Sequence, residues 1–196
     1  NSKTDTLSKI RSQSVPPVEH PLHDGPWIQF ADPIQQFAQT LAAVGGEALF
    51  AANMDAARQA IQQMACLKEA SQIVSPLEHL SVLQTFDEQQ VDDPHALDVV
   101  DVAILPGEFA VAENGAIWVD GRTVRHRTVY FLTQHLILVL PRTELVHNLH
   151  EAYQRLNLTE QGYGLFISGP SKTADIEQSL VIGAHGPRSM TALLVG

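Results

Sequence analysis

The fold is decided by a helix–strand–helix stretch, residues 32–65, which reads DPIQQFAQTLAAVGGEALFAANMDAARQAIQQMA. Asp32 can cap a helix, and a Gly-Gly pair ends that helix after apolar residues at helical spacing. The short apolar run Ala48 to Ala51 then predicts a buried strand, and Asn53 opens a second helix. Because a buried strand alternates with helices, this stretch predicts an α/β fold.

Strands and helices continue along the rest of the chain. Asn114-Gly115 separates two apolar runs, which is typical of a β-hairpin, and the acidic residues 85–98 predict a surface loop. We expect strands at 72–74, 99–105, 109–112, 116–119, 129–132, 136–140, 165–168 and 190–195, and helices at 76–84, 143–156 and 172–182. The pattern predicts a largely parallel sheet sandwiched by helices, with a local antiparallel hairpin.

The domain organisation follows from the N-terminal composition. Residues 1–26 are polar and proline-rich and lack an apolar signal core, so we expect an extended arm there. Residues 27–196 are expected to form a single domain. Trp27 and Phe30 are candidates to pin the end of the arm to the core, and the alternative is that the arm reaches a partner subunit.

Composition excludes several classes of protein. The chain has 196 residues, 12 Lys and Arg against 22 Asp and Glu, and a net charge of −10, which argues against nucleic acid and anionic membranes as partners. Its single cysteine, Cys66, cannot form an internal disulfide, an iron–sulfur cluster or a structural zinc site. No apolar stretch approaches the roughly 20 residues of a membrane span. We therefore expect a cytoplasmic protein with no metal site of its own.

The most informative candidate site is GLFISGPSKTADIE, residues 164–177. A predicted strand ends there in a Gly-Pro turn, and the expected helix begins among hydroxyl groups. Free amides in the first turn of a helix bind anions or are capped by nearby side chains, and both alternatives stay open. Ligands of open α/β sheets lie beyond the carboxyl ends of the strands, which favours binding. The candidate binding residues in this run are Ser168, Gly169, Ser171, Lys172, Thr173 and Glu177.

Two shorter runs add titratable groups. In AENGA, residues 112–116, Glu113 is a candidate nucleophile or general base, and the alternative is an ordinary turn residue. In AHGPR, residues 184–188, His185 can titrate near neutral pH and Arg188 can clamp a carboxylate. The alternative for AHGPR is a helix C-terminus, whose dipole favours both cations.

The three runs together resemble signature segments of the LUD-domain family, in particular its lactate utilization protein C group. The resemblance is specific over residues 164–196, moderate over 98–120 and loose over the rest of about 45–196. Asn114 and Ala116 depart from the family pattern, which has threonine at both positions. The resemblance implies a Rossmann-like α/β sandwich of the NagB/RpiA/CoA-transferase type.

The resemblance also implies a function. It points to oxidation of L-lactate to pyruvate, with this chain as the non-cluster subunit beside iron–sulfur partner proteins. Iron–sulfur clusters are then expected only in the partners, a small carboxylate is a candidate ligand, and a homo-oligomer stays open. The implied catalytic residues are Glu113, Asp175 and His185, and the implied binding residues are Asn114, Gly115, Ser168, Gly169, Ser171, Lys172, Thr173, Glu177, Gly186 and Arg188.

Two alternative functions are also compatible with the sequence. Class I CoA-transferases carry a similar Ser-Glu-Asn-Gly segment with a nucleophilic glutamate, although Ala112 replaces the serine here. A stand-alone enzyme of the CoA-transferase or isomerase type would then use Glu113. The other alternative is a regulatory or scaffold protein that keeps the fold without turnover.

Overall fold

A computed structural model describes residues 2–13, 18–19, 25–156, 162–174 and 180–196. The helices within these residues are α1 (Ser2–Ser12), α2 (Pro33–Ala43), α3 (Met54–Gln63), α4 (Ala65–Glu69), α5 (Val129–Leu132) and α6 (Leu149–Arg155). The strands are β1 (Glu47–Ala51), β2 (Ile73–Val74), β3 (Val102–Pro106), β4 (Phe109–Val111), β5 (Ala116–Asp120), β6 (His135–Pro141), β7 (Leu145–Val146), β8 (Gly164–Ile167), β9 (Lys172–Ala174), β10 (Leu180–Ile182) and β11 (Ser189–Val195).

A parallel sheet lies at the centre of the domain. Within the described residues it has five strands in the order β1-β11-β6-β3-β2. A second sheet of four strands, in the order β7-β4-β5-β8, contains the antiparallel β4–β5 hairpin. This arrangement confirms the expected α/β class, the mostly parallel sheet and the local hairpin.

Alternate residues of the central strand β6 face two separate parts of the core. Leu136 and Leu138 pack on one side with α2 and the four-stranded sheet. Ile137 and Val139 pack on the other side with α3. Because both faces are covered, the strand is a nearly continuous apolar run rather than an alternating one.

Local signals account for helices α2 and α3. The carboxylate of Asp32 accepts the backbone N–H of Gln35 at 2.9 Å, and the Asn53 side chain caps α3 in the same way. Phe37 and Leu41 of α2 are fully buried, as the helical spacing predicts. The predicted helix–strand–helix stretch is therefore confirmed.

Two secondary-structure predictions for the residues after the hairpin are wrong. Residues 129–132 form the single turn α5 instead of a strand. The helix expected over 143–156, with Thr143 as a candidate cap, begins only at Leu149, where the Asn148 side chain accepts the N–H of Glu151 at 3.0 Å. Residues 145–146 form β7 instead, because they pair with β4 in the second sheet.

The predicted helix at 172–182 is also wrong. Strands β9 and β10 pair antiparallel there, with Lys172 opposite Ile182. The β-branched residues Val181 and Ile182 favour a strand, which competes with the helical spacing seen in the sequence. Residues 175–179 lie outside the described part of the chain.

The N-terminal segment also differs from the expectation of an extended arm. Residues 2–12 form helix α1, none of whose residues is buried. Residues 25–30, in contrast, lie against the beginning of α6. Among the helices that the structure describes, none is long and apolar enough to cross a membrane.

The acidic segment 85–98 is more ordered than a surface loop. It contains two short 3-10 helices, and Leu97 in the second one is fully buried. The Arg125 guanidinium donates to the carbonyl oxygen of Gln89 and pairs with Asp92 at 3.1 Å. These contacts attach the segment to the residues that follow the hairpin.

Candidate functional site

Two of the three candidate runs meet at one place. The backbone N–H of Ser171 donates to the carbonyl oxygen of Pro187 at 2.9 Å, and the N–H of Gly183 donates to the Ser171 carbonyl oxygen at 2.9 Å. The end of β8 and the loop before β11 are therefore held together by backbone hydrogen bonds. This places the 168–171 turn beside the loop that carries His185.

A cavity of about 240 Å³ lies between the two runs. One side of its lining is apolar and largely aromatic, and it includes Tyr130, Phe131 and Phe166. A second hollow of about 420 Å³ shares Phe131, His185 and Gly186 with the first. The predicted binding residues that line the 240 Å³ cavity are Ser168, Gly169, Ser171 and Gly186, and the predicted catalytic residue His185 lines it as well.

Among the polar residues of this site, Ser171 is the one whose position is fixed most tightly by its neighbours. A Cβ atom on Gly186 would lie 2.9 Å from the Cβ of Ser171, so only glycine allows the loop this close. Ser168 is already engaged, because its hydroxyl donates to the carbonyl oxygen of Asn114 at 2.8 Å. The hydroxyl of Ser171 and the exposed ring of His185 are thus the polar side-chain groups to consider for a ligand.

Glu113 lies outside the residues that line these two cavities. Its side chain is exposed, and its Oε2 atom accepts the backbone N–H of Leu149 at 2.9 Å. Since Leu149 is the first residue of α6, this carboxylate satisfies a free amide and complements the helix dipole. The contact gives Glu113 a structural role in this conformation.

The Asn114-Gly115 turn connects Glu113 to the cavity. Asn114 bonds to β8 through Ser168, and its side-chain oxygen also accepts the N–H of Ala116 at 3.1 Å. Gly115 has a φ of +66° and lies directly against the backbone of α2 at Leu41. The turn is therefore fixed on both sides.

The remaining predicted residues are spread over other positions. Lys172 is exposed at the start of β9, where Thr173 follows it. Arg188 lines a different hollow of about 200 Å³, and its backbone N–H donates to the Gln134 carbonyl oxygen at 2.8 Å. The other two predicted residues, Asp175 and Glu177, lie outside the described residues.

Two arguments for anion binding at this site are wrong. Because residues 172–174 and 180–182 are strands, the expected helix N-terminus and its dipole are not there. The site also lies at the opposite edge of the parallel sheet from the one expected, since Arg188 and Gln134 directly precede β11 and β6. Any anion would have to be bound by side chains and loop amides instead.

A polar pair formed by His135 and Ser189 was not predicted from the sequence. His135 Nδ1 and Ser189 Oγ lie 2.7 Å apart, at the paired amino ends of β6 and β11. Burial, and then the charge of Arg188, lower the pKa of His135, while burial raises the pKa of Cys66 in the same hollow of about 610 Å³. Among the described residues, no group of three or more His, Cys, Asp and Glu side chains is placed to hold a metal ion.

The sequence of this domain matches a known protein family. A family model described as the LUD domain matches residues 34–195, which include every strand from β1 to β11. The chain belongs to the LUD domain family. The match covers most of the chain and confirms the resemblance carried by the three short runs.

Curated relatives of this LUD domain carry one common name. The chain is 34% identical over 103 residues to lactate utilization protein C of Shouchella clausii, a match that covers 50% of this chain and 45% of the relative. It is 33% identical over 123 residues to the protein of the same name from an Exiguobacterium species, covering 57% and 53%. The chain thus spans about half the length of the curated relatives it matches.

A solved structure shares the fold. The crystal structure of a DUF162 family protein from Deinococcus radiodurans superposes with a TM-score of 0.64, over 84% of this chain and 96% of that chain. The two sequences are 18% identical, so the likeness concerns the fold alone.

Proposed function

We propose that this LUD domain takes part in the oxidation of lactate to pyruvate, as the subunit without clusters beside iron–sulfur partner proteins. The observation that carries the proposal is the match over residues 34–195 to the LUD domain, together with relatives named lactate utilization protein C. Those relatives share about a third of their aligned residues with this chain.

The cysteine content supports this division of labour. Iron–sulfur clusters are held by sets of cysteine thiolates, and this chain offers only the half-buried Cys66. Any iron–sulfur clusters of the proposed reaction would therefore be held by the partner proteins. The LUD domain would contribute binding and positioning of the organic substrate.

We assign the substrate carboxylate to the cavity between the 168–171 turn and the His185 loop. The Ser171 hydroxyl and the His185 ring can both donate hydrogen bonds to a carboxylate. Phe131 supplies an apolar surface beside them, which suits the methyl group of lactate or pyruvate.

Growth on L-lactate tests the role in the cell. Deleting the gene should abolish growth on lactate but not on glucose, and the wild-type gene should restore it. We expect His185→Ala and Ser171→Ala to reduce growth on lactate strongly, because both remove a hydrogen-bond donor from the cavity. His95→Ala is the matched control, since that histidine is exposed in the acidic segment outside the cavity.

Each outcome of this experiment has a distinct meaning. Normal growth of the deletion strain on lactate would refute the proposed role. Full growth with both cavity variants would leave a scaffold function and refute the assignment of the cavity. Affinity purification from lactate-grown cells should recover iron–sulfur proteins, and a chain that purifies alone would contradict the subunit role.

A further inference from the structure

The segment Gly25–Phe30, which we call the N-terminal strap, is fastened to the beginning of α6 by a histidine. We propose that protonation of His147 releases this strap, so that it acts as a pH-sensitive clasp. The inference does not rest on the proposed function. It rests on the direction of one hydrogen bond and on the contacts around it.

The decisive contact joins the strap to the ring of His147. The backbone N–H of Phe30 donates to His147 Nδ1 at 3.0 Å, and the ring is half-buried. Since an N–H group can only donate, Nδ1 must carry no hydrogen in this arrangement. Protonation makes both ring nitrogens donors, so the Phe30 amide then faces another N–H group instead of an acceptor.

In the other contacts of the strap, donor and acceptor keep their roles at mildly acidic pH. The side-chain amide of Asn148 donates to the carbonyl oxygen of Ile28 at 2.9 Å, and Gln29 donates to Glu151 Oε1 at 2.6 Å. The Gln29 contact is exposed and the Asn148 contact is part-buried, so the Phe30 bond is one of the three hydrogen bonds that hold the strap in the described part of the chain. Losing it weakens the attachment of the strap to α6.

Aromatic contacts complete the clasp. The indole of Trp27 stacks on the His150 ring at 3.4 Å between centroids, and the Phe30 ring lies 6.3 Å from the His147 ring. His150 is therefore a second titratable group in contact with the strap. Stacking does not require an unprotonated ring nitrogen, whereas the Phe30 hydrogen bond does, and this distinguishes the two histidines.

The ionisable groups around His147 come from α6 and from the turn after β4. Glu151 of α6 accepts the backbone N–H of His147 at 2.9 Å, and the backbone N–H of Glu113 donates to the His147 carbonyl oxygen at 3.0 Å. The strap itself contains no charged residue, and β7 contributes only leucine and valine. The neighbouring ionisable side chains are thus Glu113, Glu151 and His150, whereas the arginine of α6, Arg155, lies at the other end of the helix and pairs with Glu144 at 2.8 Å.

Release would change the surroundings of a candidate site residue. The same helix start that holds the strap also receives the Glu113 carboxylate at Leu149. Opening the strap frees Glu151 from Gln29 and exposes this end of α6 to water. The clasp therefore connects acidification to the accessibility of the Glu113 turn.

Hydrogen exchange measured by mass spectrometry on the full chain tests the clasp. After correction for the intrinsic pH dependence of exchange, we expect protection of residues 25–30 to fall about tenfold or more between pH 7.5 and 5.5. Protection of β6 serves as the internal reference for global stability. His147→Gln offers an acceptor oxygen that does not titrate, so its strap should keep the same protection, within about twofold, at both pH values. His150→Gln is the matched control and should retain the fall.

Two results would overturn the clasp. One is equal protection of the wild-type strap at both pH values, and the other is the same fall in His147→Gln. If the variant strap is unprotected throughout, nitrogen NMR of wild-type His147 decides the question. Nδ1 must carry no proton at pH 7.5 and must gain one on acidification together with a shift of the Phe30 amide. A proton on Nδ1 at pH 7.5, or an unchanged Phe30 amide, contradicts the proposal.

Discussion

Replacing Gly115 by alanine tests how tightly the hairpin turn is packed against α2. Gly115 has a φ of +66°, and a Cβ atom there would lie 2.7 Å from the backbone nitrogen of Leu41 and 2.9 Å from its Cα. Both neighbouring atoms belong to a helix backbone, which cannot rotate away as a side chain can. The substitution therefore combines an unfavourable backbone conformation with overpacking.

The expected cost follows from these two effects. A left-handed conformation costs an L-residue about 1–2 kcal/mol. Overpacking a rigid site adds about 1–3 kcal/mol. Alanine also restricts the unfolded chain, which offsets about 0.4–1 kcal/mol. Gly115→Ala should therefore lower the free energy of unfolding by about 1.5–4 kcal/mol.

Gly162 provides a matched control. It has a φ of +62°, but a Cβ atom there would meet nothing within 4 Å. Gly162→Ala carries the same conformational cost and the same effect on the unfolded chain without the close approach. The difference between the two variants therefore isolates overpacking, about 1–3 kcal/mol.

Urea unfolding followed by circular dichroism measures this difference. With a slope of about 2 kcal/mol per molar urea, the midpoint of Gly115→Ala should lie roughly 0.5–1.5 M below that of Gly162→Ala. Midpoints that agree within about 0.2 M would refute the close packing of the turn on α2.

Three further stability predictions follow from single contacts, and urea unfolding measures each. Burial raises the pKa of Glu88, so native stability falls as the pH rises above the ordinary glutamate range. Glu88→Gln should therefore be more stable than wild type at pH 7.5, and the difference in free energy of unfolding should disappear near about pH 4. Hydrogen bonds from Arg122 lower the pKa of Asp120, so Asp120→Asn should lose about 1–2 kcal/mol at pH 7, a loss that disappears as acid protonates the wild-type carboxylate below about pH 4. Asn53→Ala should lower the free energy of unfolding by about 1 kcal/mol because it removes the cap of α3, whereas Thr143→Ala should stay within about 0.5 kcal/mol of wild type. Equal effects of the two changes would contradict the observed caps.

The parts of the fold that could be predicted are those governed by neighbours in sequence. Asp32, Asn53 and the periodic apolar residues between them act within a few residues, so the sequence alone contains the information. Thr143 and Asn148 are both good caps. Only the pairing of β7 with β4, which lies over 30 residues earlier, decides in favour of Asn148.

The secondary structure of residues 172–182 could not be predicted for a different reason. Its spacing is compatible with a helix, and its β-branched residues are compatible with a strand, so local propensity gives no clear decision. Antiparallel pairing of Lys172–Ala174 with Leu180–Ile182 decides the matter. The argument for anion binding at a helix N-terminus depended on that one assignment and failed with it.

The candidate site was predictable in its parts but not in its arrangement. The runs containing Ser171 and His185 stand out by composition, and the structure places them around one cavity. The His135–Ser189 pair arises because β6 and β11 are neighbours in the sheet, and strand order is not written in either segment. The contact of Glu113 with Leu149 likewise depends on tertiary packing.

The position of β11 has a consequence for how the domain is assembled. This strand is the last of the parallel sheet in chain order, yet it lies between β1 and β6, so that Glu47 faces Thr191 on one side and His135 faces Ser189 on the other. Until β11 inserts, β1 has no partner strand and β6 keeps one edge unpaired. During synthesis, the earlier strands of this sheet therefore keep exposed edges, a state prone to aggregation, until β11 has been made.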